Sequence, residues 1–448
     1  MRVRLIVGWV VVLTVVAAIG YAQQPPTAQR ADTVRLSLAQ ALDIARRNNP
    51  TYLTVVANHS PAAAQAFATA MALLTPTASI TAGEQWAQPG VYNLAGIAFP
   101  TPKTQGSSWN LNFGYTLSGQ TIANRGYAAA QLKAANQDVE SALTVLETSV
   151  KQAYLNLLAA IGSADLARHV VARAQEALNL AQAKFGVGQN TLFDVKSAQV
   201  DKGNADVSLL QAQENVALQV LQLYQLLGVP APEPPVVAPT DTFPVTAPPW
   251  TEDSLVGLAL ASNPVLLSLR ARAGAAAWNT RAAYSQFAPS VRASASYGKF
   301  SQTSWDSASA PGKNSTGTSP WTFQVGVSLP IYSQFQRTSA IASARAAQEN
   351  QDLSVRAQEL AVRAQVSSAW VALDVAYRTI AVQKDNLAAA DEALALGTER
   401  YRVGSGSIID LLTARVTDET AAYNYLNAKY TYQKAIAALE QAVGHTLR

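Results

Sequence analysis

The sequence predicts an α+β chain that is mainly α: one half used twice, with very long antiparallel coiled-coil helices and four β-strands. Three observations carry that expectation. FGVGQNTLFD at 185–194 returns as YRVGSGSIID at 401–410, 216 residues later. Two long stretches, about 119–185 and about 336–401, each carry a heptad seam. Two pairs of segments alternate with period two, about 76–86 with 108–118 and about 289–300 with 320–329.

The N-terminus comes first in chain order. Arg2 and Arg4 precede an uncharged run, LIVGWVVVLTVVAAIG (5–20), and the small residues Gly20 and Ala22 flank Tyr21. Residues 1–22 therefore read as a secretory signal peptide, removed before Gln23. Its loss takes away Arg2 and Arg4, so a net charge of +4 becomes +2. An uncleaved membrane anchor is the alternative. No later apolar run is long enough for a transmembrane helix, so a mature chain that enters a membrane must do so as a β-barrel.

The echo at 216 residues extends across the chain. ALDIARRNNP (41–50) matches LVGLALASNP (255–264), Pro76 pairs with Pro289, and Gly228 pairs with Gly444. Phe113-Gly114-Tyr115 pairs with Val325-Gly326-Val327. The domain plan is then a first repeat over 23–228, a connector over 229–253 and a second repeat over 254–448. The prolines of the connector, VPAPEPPVVAPTDTFPVTAPPWTED, forbid helix or central strand, so it is extended.

Each half has the same order. A short helix (about 37–48 and 252–262) precedes a second that begins at an Asn-Pro (51–74 and 264–287). Two strands follow, then the long helix, a tip turn (186–191 and 402–407) and a return helix (192–227 and 408–443). The first seam runs from Val139 through Leu146, Val150, Ala153 and Leu157 to Ala181 and Phe185; the second runs from Val362 through Val366, Leu373 and Ile380 to Tyr401. A sustained 3.5-residue period means coiled-coil packing. The first long helix spans ~100 Å at ~1.5 Å per residue. The return helix is about half as long, which suggests one continuous helix beside two stacked ones.

The strands decide the class. Trp109, Leu111, Phe113, Tyr115 and Leu117 oppose Asn110, Asn112, Gly114 and Thr116. Trp321, Phe323, Val325, Val327 and Leu329 oppose Thr322, Gln324, Gly326 and Ser328. About ten residues is the length that crosses a bilayer when tilted, so the apolar sets are expected to face lipid. Trp86, Trp109, Tyr297 and Trp321, near the strand ends, suit an aromatic girdle, and Arg292, Asn110 and Asn112 suit a lumen. Four strands cannot close a barrel alone, so several chains are needed.

Other function classes fall away. The 448 residues contain no cysteine, which excludes disulfides, thiolate metal sites and thiol nucleophiles. His59, His169 and His445 are too far apart in sequence to suggest a metal site, and no cofactor motif is present. The balance of 33 basic and 29 acidic residues leaves no footprint for nucleic acid. No GxSxG, HExxH or P-loop occurs, and Gly404-Ser405-Gly406 lacks the context of a nucleotide loop. The chain reads as not an enzyme.

At the repeated turn, Gly186, Gly188, Gly404 and Gly406 suit helix ends in the left-handed conformation. Thr191 and Ser407 then stand at N-caps. Asp194 and Asp410, three residues on, complete capping boxes.

This order, twice over, resembles the TolC-like outer-membrane efflux proteins: the N-P helix starts, two strand pairs, two very long helices and VG-x-x-[ST]-x-x-D turns. The resemblance implies a homotrimer with a twelve-stranded transmembrane β-barrel and an α-helical tunnel (an α-barrel) through the periplasm. It implies an exit duct of a tripartite efflux or type I secretion system. The partners would be a periplasmic adaptor, an inner-membrane pump and outer-membrane lipid. It carries the periplasmic entrance and adaptor contact to Phe185, Val187, Gly188, Thr191 and Asp194, and to Tyr401, Val403, Gly404, Ser407 and Asp410. The family's best-known member has a second aspartate and an arginine where this chain has Thr413 and Gly406, so a weaker electrostatic gate is expected. The competing reading is a periplasmic coiled-coil adaptor or scaffold anchored at its N-terminus.

Overall fold

The computed structural model describes residues 34–189, 191–241, 243–305 and 313–447, so the signal-peptide reading of 1–22 lies outside the described residues. β1 (Val34–Leu36) leads into α1 (Leu38–Asn48) and α2 (Pro50–Met71). β2 (Thr77–Ala87), a small hairpin of β3 (Gly90–Leu94) and β4 (Ile97–Thr101), and β5 (Lys103–Leu117) follow. α3 (Gly119–Gly186) and α4 (Leu192–Leu227) end the first half. Beyond β6 (Val237–Pro239) come α5 (Glu252–Ser262), α6 (Pro264–Ser285), β7 (Ser290–Trp305), β8 (Lys313–Ser328), α7 (Gln336–Val403) and α8 (Ile408–Val443).

The two halves agree closely in helix length. α3 and α7 each have 68 residues, and α4 and α8 each have 36. The seams account for the packing. Leu146, Val150, Ala153, Leu157, Ala160, Ala164, Ala167, Ala174, Leu178 and Ala181 are buried along α3, as are Val362, Val366, Leu373, Ala376, Ile380 and Ala390 along α7. α3 packs on α4, α2, α6 and α8, while α7 packs on α8 and α6. The helices thus form one layer, ordered α2–α3–α6–α7 at one end and α4–α3–α8–α7 at the other. Its outer edges are α2 with α4, and α7. Among the described residues, no single helix is long and apolar enough to cross a membrane.

The stacking of α2 on α4 explains a motif that the repeat made conspicuous. The Asn49 side-chain oxygen Oδ1 accepts from Tyr52 N at 2.9 Å, which caps α2, while its side-chain Nδ2 donates to Leu226 O at 2.8 Å, which caps the end of α4. Asn263 does the same, accepting from Leu266 N at 3.2 Å and donating to Ala442 O at 3.0 Å. Gly228 and Gly444 close the return helices at φ 73° and 78°. A Cβ on Gly228 would lie 2.3 Å from Asn48 O, and one on Gly444 would lie 2.6 Å from Pro264 Cδ. Gly188 shares the positive φ, at 76°, but a Cβ there meets open space. Gly228→Ala is therefore expected to lower the melting temperature well beyond Gly188→Ala. The latter suffers only left-handed strain of ~1 kcal/mol, whereas the former also parts the helix junction. Equal shifts in a thermal melt would contradict this.

The middle of the molecule is thickened by the short helices and the connector. One core joins Val150, Tyr154 and Leu157 of α3, Val220, Leu223 and Leu227 of α4, and Ala41 and Ala45 of α1. Its counterpart joins Val362, Val366 and Leu373 with Tyr432, Ile436 and Leu439, under Leu255 and Ala259 of α5. The connector is not wholly irregular, since β6 pairs in parallel with β1, Leu36 opposite Pro239. A proline is tolerated there because the strand is an edge. Tyr154 fastens this pair to α3, its hydroxyl oxygen lying 2.9 Å from Leu36 O and 2.7 Å from Asp241 Oδ2 with its one proton shared between them.

The sheet has the order β2–β5–β7–β8 and is antiparallel throughout. Its strands run past the alternating segments. β5 starts at Lys103 rather than near 108, β7 reaches Trp305 rather than 300, and β8 starts at Lys313 rather than near 320. Apart from Trp305, these outer lengths are polar, so they give no alternation to detect.

Candidate functional site

Two surfaces answer to the sequence-predicted sites: one face of the sheet and the paired turns at the far end of the long helices. Register decides the first. Phe113 opposes Ala295, which opposes Phe323; Tyr115 opposes Ala293 and then Val325; Leu117 opposes Val291 and then Val327. Directly paired residues share a face. Leu111, opposite Tyr297 and Ile80, joins the same set. A register shift lies between Ser296 and Gly298, yet Trp321 stays on this face. Its ring stacks on Tyr297 at 5.3 Å and on Phe323 at 6.0 Å. Trp109 meets Tyr297 at 5.8 Å. Leu329 lies one residue past β8 and is exposed.

The other face carries Thr77, Ser79, Asn112, Gly114, Ser294, Gln324 and Gly326 by the same register. The sheet is therefore one-sided in chemistry. Beyond the junction with α3, no helix packs on the sheet among the described residues. Phe323, Val325 and Val327 are 77%, 75% and 70% exposed. An uncovered apolar face of this extent marks a contact surface.

The aromatic positions need correction. Trp109, Tyr297 and Trp321 stand in mid-strand rather than at strand ends, because the strands run further than alternation suggested. They form a row where the apolar half of the sheet gives way to the polar half. The span from Leu117 to Trp109 is roughly 27 Å along the strand, against an apolar band of ~25 Å in outer-membrane barrels. Trp86 lies apart, opposite Gln105 in the outer half.

At the far end, both turns have the predicted capping boxes. Thr191 N donates to Asp194 Oδ2 at 2.9 Å, and Asp194 N donates to Thr191 Oγ1 at 3.3 Å. Ser407 N donates to Asp410 Oδ2 and Asp410 N to Ser407 Oγ, both at 3.1 Å. Of the four glycines, only Gly188 and Gly404 are left-handed, at φ 76° and 83°. Gly186 is the last residue of α3, and Gly406 serves closeness instead, since a Cβ there would stand 3.0 Å from Arg400 Cβ. The Ser407 hydrogen bonds, aided by the charge of Arg400, hold the Asp410 carboxyl below the usual aspartate range.

The two turns are not equivalent in packing. Tyr401 is 3% exposed, in a cluster with Ile408, Leu411 and Leu180, whereas Phe185 is 45% exposed. Val187 and Val403 are both exposed. The burial due to Phe185 in the seam passes to Lys184, whose Nζ donates to Tyr401 O and lies 4.6 Å from the Tyr401 ring centroid. Lys184 thus joins the end of α3 to the end of α7. Sequence reasoning missed it, because a lysine one step off an apolar seam reads as solvated.

Comparison with known proteins bears on the fold as a whole. The family described as "Outer membrane efflux protein" matches residues 30–229 and 255–445, one segment for each repeat. "Outer membrane protein TolC" of Vibrio cholerae serotype O1 is 27% identical over 418 residues, covering 91% of this chain and 90% of that protein. Among solved structures, the outer membrane protein VceC of Vibrio cholerae aligns with a TM-score of 0.76 at 20% identity, covering 92% of this chain and 97% of that one. The open state of the Neisseria gonorrhoeae MtrE outer membrane channel aligns at 0.73 and 22% identity, covering 94% of each. These structures share the fold.

Proposed function

This chain belongs to the outer membrane efflux protein family, and from that membership we propose that three copies close into one passive duct, crossing the outer membrane and running on through the periplasm. One observation carries the assembly. Both the sheet and the helix layer are open, and each has a first-half element at one edge and a second-half element at the other. Edges that differ in this way join head to tail, and such joining forms a ring where the rotation closes. β2 of one copy then pairs with β8 of the next, which removes both exposed edges. Three copies give twelve strands.

In that ring the apolar face of each sheet meets lipid, with Trp109, Tyr297 and Trp321 at the outer interface. The polar face, with Asn112, Gln324 and Arg292, lines the lumen. Residues 1–22 are a signal peptide removed on export. The repeats 23–228 and 254–448, joined by 229–253, each send one turn to the periplasmic tip. Phe185, Val187, Gly188, Thr191 and Asp194, with Tyr401, Val403, Gly404, Ser407 and Asp410, form the entrance there and meet an adaptor. An inner-membrane pump supplies cargo for efflux or type I secretion. A scaffold in the periplasm is not favoured, since it leaves the apolar sheet face in water.

The experiment is fractionation of cells expressing the full chain, followed by the mass of the detergent-solubilised protein. A species three times the mature chain, in the outer membrane and starting at Gln23, is the expected result. A monomer in the periplasm or inner membrane would overturn it.

A further inference from the structure

The end of the molecule that carries the sheet is almost without negative charge. Residues 44–137 and 254–348, which build the sheet and the helix turns beneath it, contain Glu84 and Asp306 as their only acidic residues, although the chain has 29. Glu84 stands in the outer half of β2, opposite Ser107. At the helix end of the sheet, three arginines meet rings instead of carboxylates. The Arg337 guanidinium lies 5.4 Å from the Phe287 ring centroid, that of Arg345 5.1 Å from Tyr284, and that of Arg281 4.3 Å from Trp278. Among the described residues none of the three has a carboxylate partner, whereas Arg270 and Arg272, further from the sheet on α6, pair with Glu359 and Asp138. The platforms are fixed. Trp278 is wedged against α3, where a Cβ on Gly126 would lie 2.3 Å from its ring, and Arg337 Nη1 donates to Pro330 O at 2.7 Å.

Helix periodicity places these arginines on one surface of the layer. Arg270 donates to Leu260 O of α5 at 2.9 Å and pairs with Glu359 of α7, so these two mark the surface that α5 covers. Arg281 follows Arg270 by about three turns of α6, and Arg345 precedes Glu359 by about four turns of α7. Both therefore share that surface, nearer the sheet than α5. A duct keeps its lumen clear when the surface thickened by the short helices is the outer one. We propose that Arg281, Arg337 and Arg345 bind the phosphodiester headgroups of anionic phospholipids in the leaflet nearer the helices. The site rests on reading the apolar sheet face as lipid-facing, and charge complementarity selects its occupant. The apolar span of the sheet ends at Leu117 and Val327, so the last turn of α6 and the first of α7 fall in the headgroup layer, about 5–8 Å deep. There Ile331, Tyr332 and Phe335 are 94%, 73% and 74% exposed, as suits residues at a membrane boundary. A guanidinium without a carboxylate offers its N–H fork to phosphate, and the ring beneath it fixes the plane of the fork. The long apolar stems let Arg281 and Arg345 reach up to the same layer.

The test is reconstitution of the full chain into vesicles of equal parts phosphatidylcholine and phosphatidylglycerol, then mild detergent extraction and mass spectrometry of the lipid that stays bound. The wild type should retain phosphatidylglycerol about fivefold over phosphatidylcholine, the preference that one arginine confers at a charged surface. A variant combining Arg281→Gln, Arg337→Gln and Arg345→Gln should retain the two lipids equally. Arg281 and Arg345 are exposed and Arg337 is half-buried, so the variant keeps the fold and should enter vesicles as well as the wild type does. Equal retention by the wild type, or a preference that survives in the triple variant, would overturn the inference. So would release of the retained phosphatidylglycerol by millimolar inorganic phosphate, since the site would then serve soluble anions. Failure of the lipid-facing reading shows separately, as a wild-type chain that does not enter the vesicles, and it takes the headgroup site with it.

Discussion

Phe323→Arg is expected to remove the protein from the outer membrane. Phe323 lies midway along the apolar face, 77% exposed and stacked on Trp321. An arginine on the lipid face of a barrel costs about 2–4 kcal/mol near the bilayer midplane. In the proposed ring three copies carry it at the same level, so that assembly loses about 6–12 kcal/mol by the same scale. Gln324→Arg, one residue on, points into the lumen and is expected to assemble normally while shifting ion preference toward anions. Outer-membrane yield and solubilised mass separate the two. If Phe323→Arg assembles as well as Gln324→Arg does, the face does not meet lipid, and the membrane-spanning barrel is overturned.

That pair of variants also marks what was legible in the sequence. Alternation through Trp109–Leu117 and Trp321–Leu329 is visible because one face meets an apolar phase and the other a polar one. Where both faces meet water, as in the outer lengths of β5, β7 and β8, that contrast vanishes, and the strands were read too short. The long helices were legible for a similar reason: a seam of 3.5-residue period is a local pattern that survives without knowledge of the partner. The β1–β6 pair was not, since three residues at Val34–Leu36 pair with Val237–Pro239 some 200 positions away. The β3–β4 hairpin lay hidden in a loop read only by composition. At the turns, the capping boxes could be read because every member lies within four residues. Lys184 could not, because its contact with Tyr401 depends on helices that meet only after the chain has folded.

The repeat gave a further kind of evidence that single motifs lack. An Asn-Pro and a terminal glycine mean little separately. Occurring twice at a fixed offset, they pointed to one junction made twice, and Asn49 with Gly228 and Asn263 with Gly444 are that junction. Duplication also sets the limit of the analogy. Tyr401 and Phe185 hold corresponding places, yet one is buried and the other exposed. In the proposed trimer, two such halves would approximate six-fold packing around a tunnel without being identical. The difference concentrates at the tip, where the second turn is held by Lys184 from the first half.

Asp410→Asn is expected to lower the cation preference of the open duct without unfolding the turn. The amide keeps the oxygen that Ser407 N needs, so the capping box survives while the charge goes. Were the proposed trimer to set its three carboxylates about 12 Å from the axis, they would contribute about 1 kcal/mol at a water-like dielectric, or about a fivefold change in cation preference. At molar salt the Debye length is ~3 Å and the difference should shrink toward nothing. Ser407→Ala is the control: it removes the cap, at about 1 kcal/mol of stability, and leaves the charge. pH adds a second signature. Because the folded Asp410 carboxyl is lowered, its charge and its capping bond are present above the usual aspartate range and are lost only as pH falls through the lowered value. Wild-type selectivity should therefore persist below about pH 4, where an ordinary aspartate is already half protonated. Reversal potentials across a salt gradient read all three predictions. Unchanged selectivity in Asp410→Asn at low salt would reduce the repeated turn to a capping box and move the ion filter elsewhere along the duct.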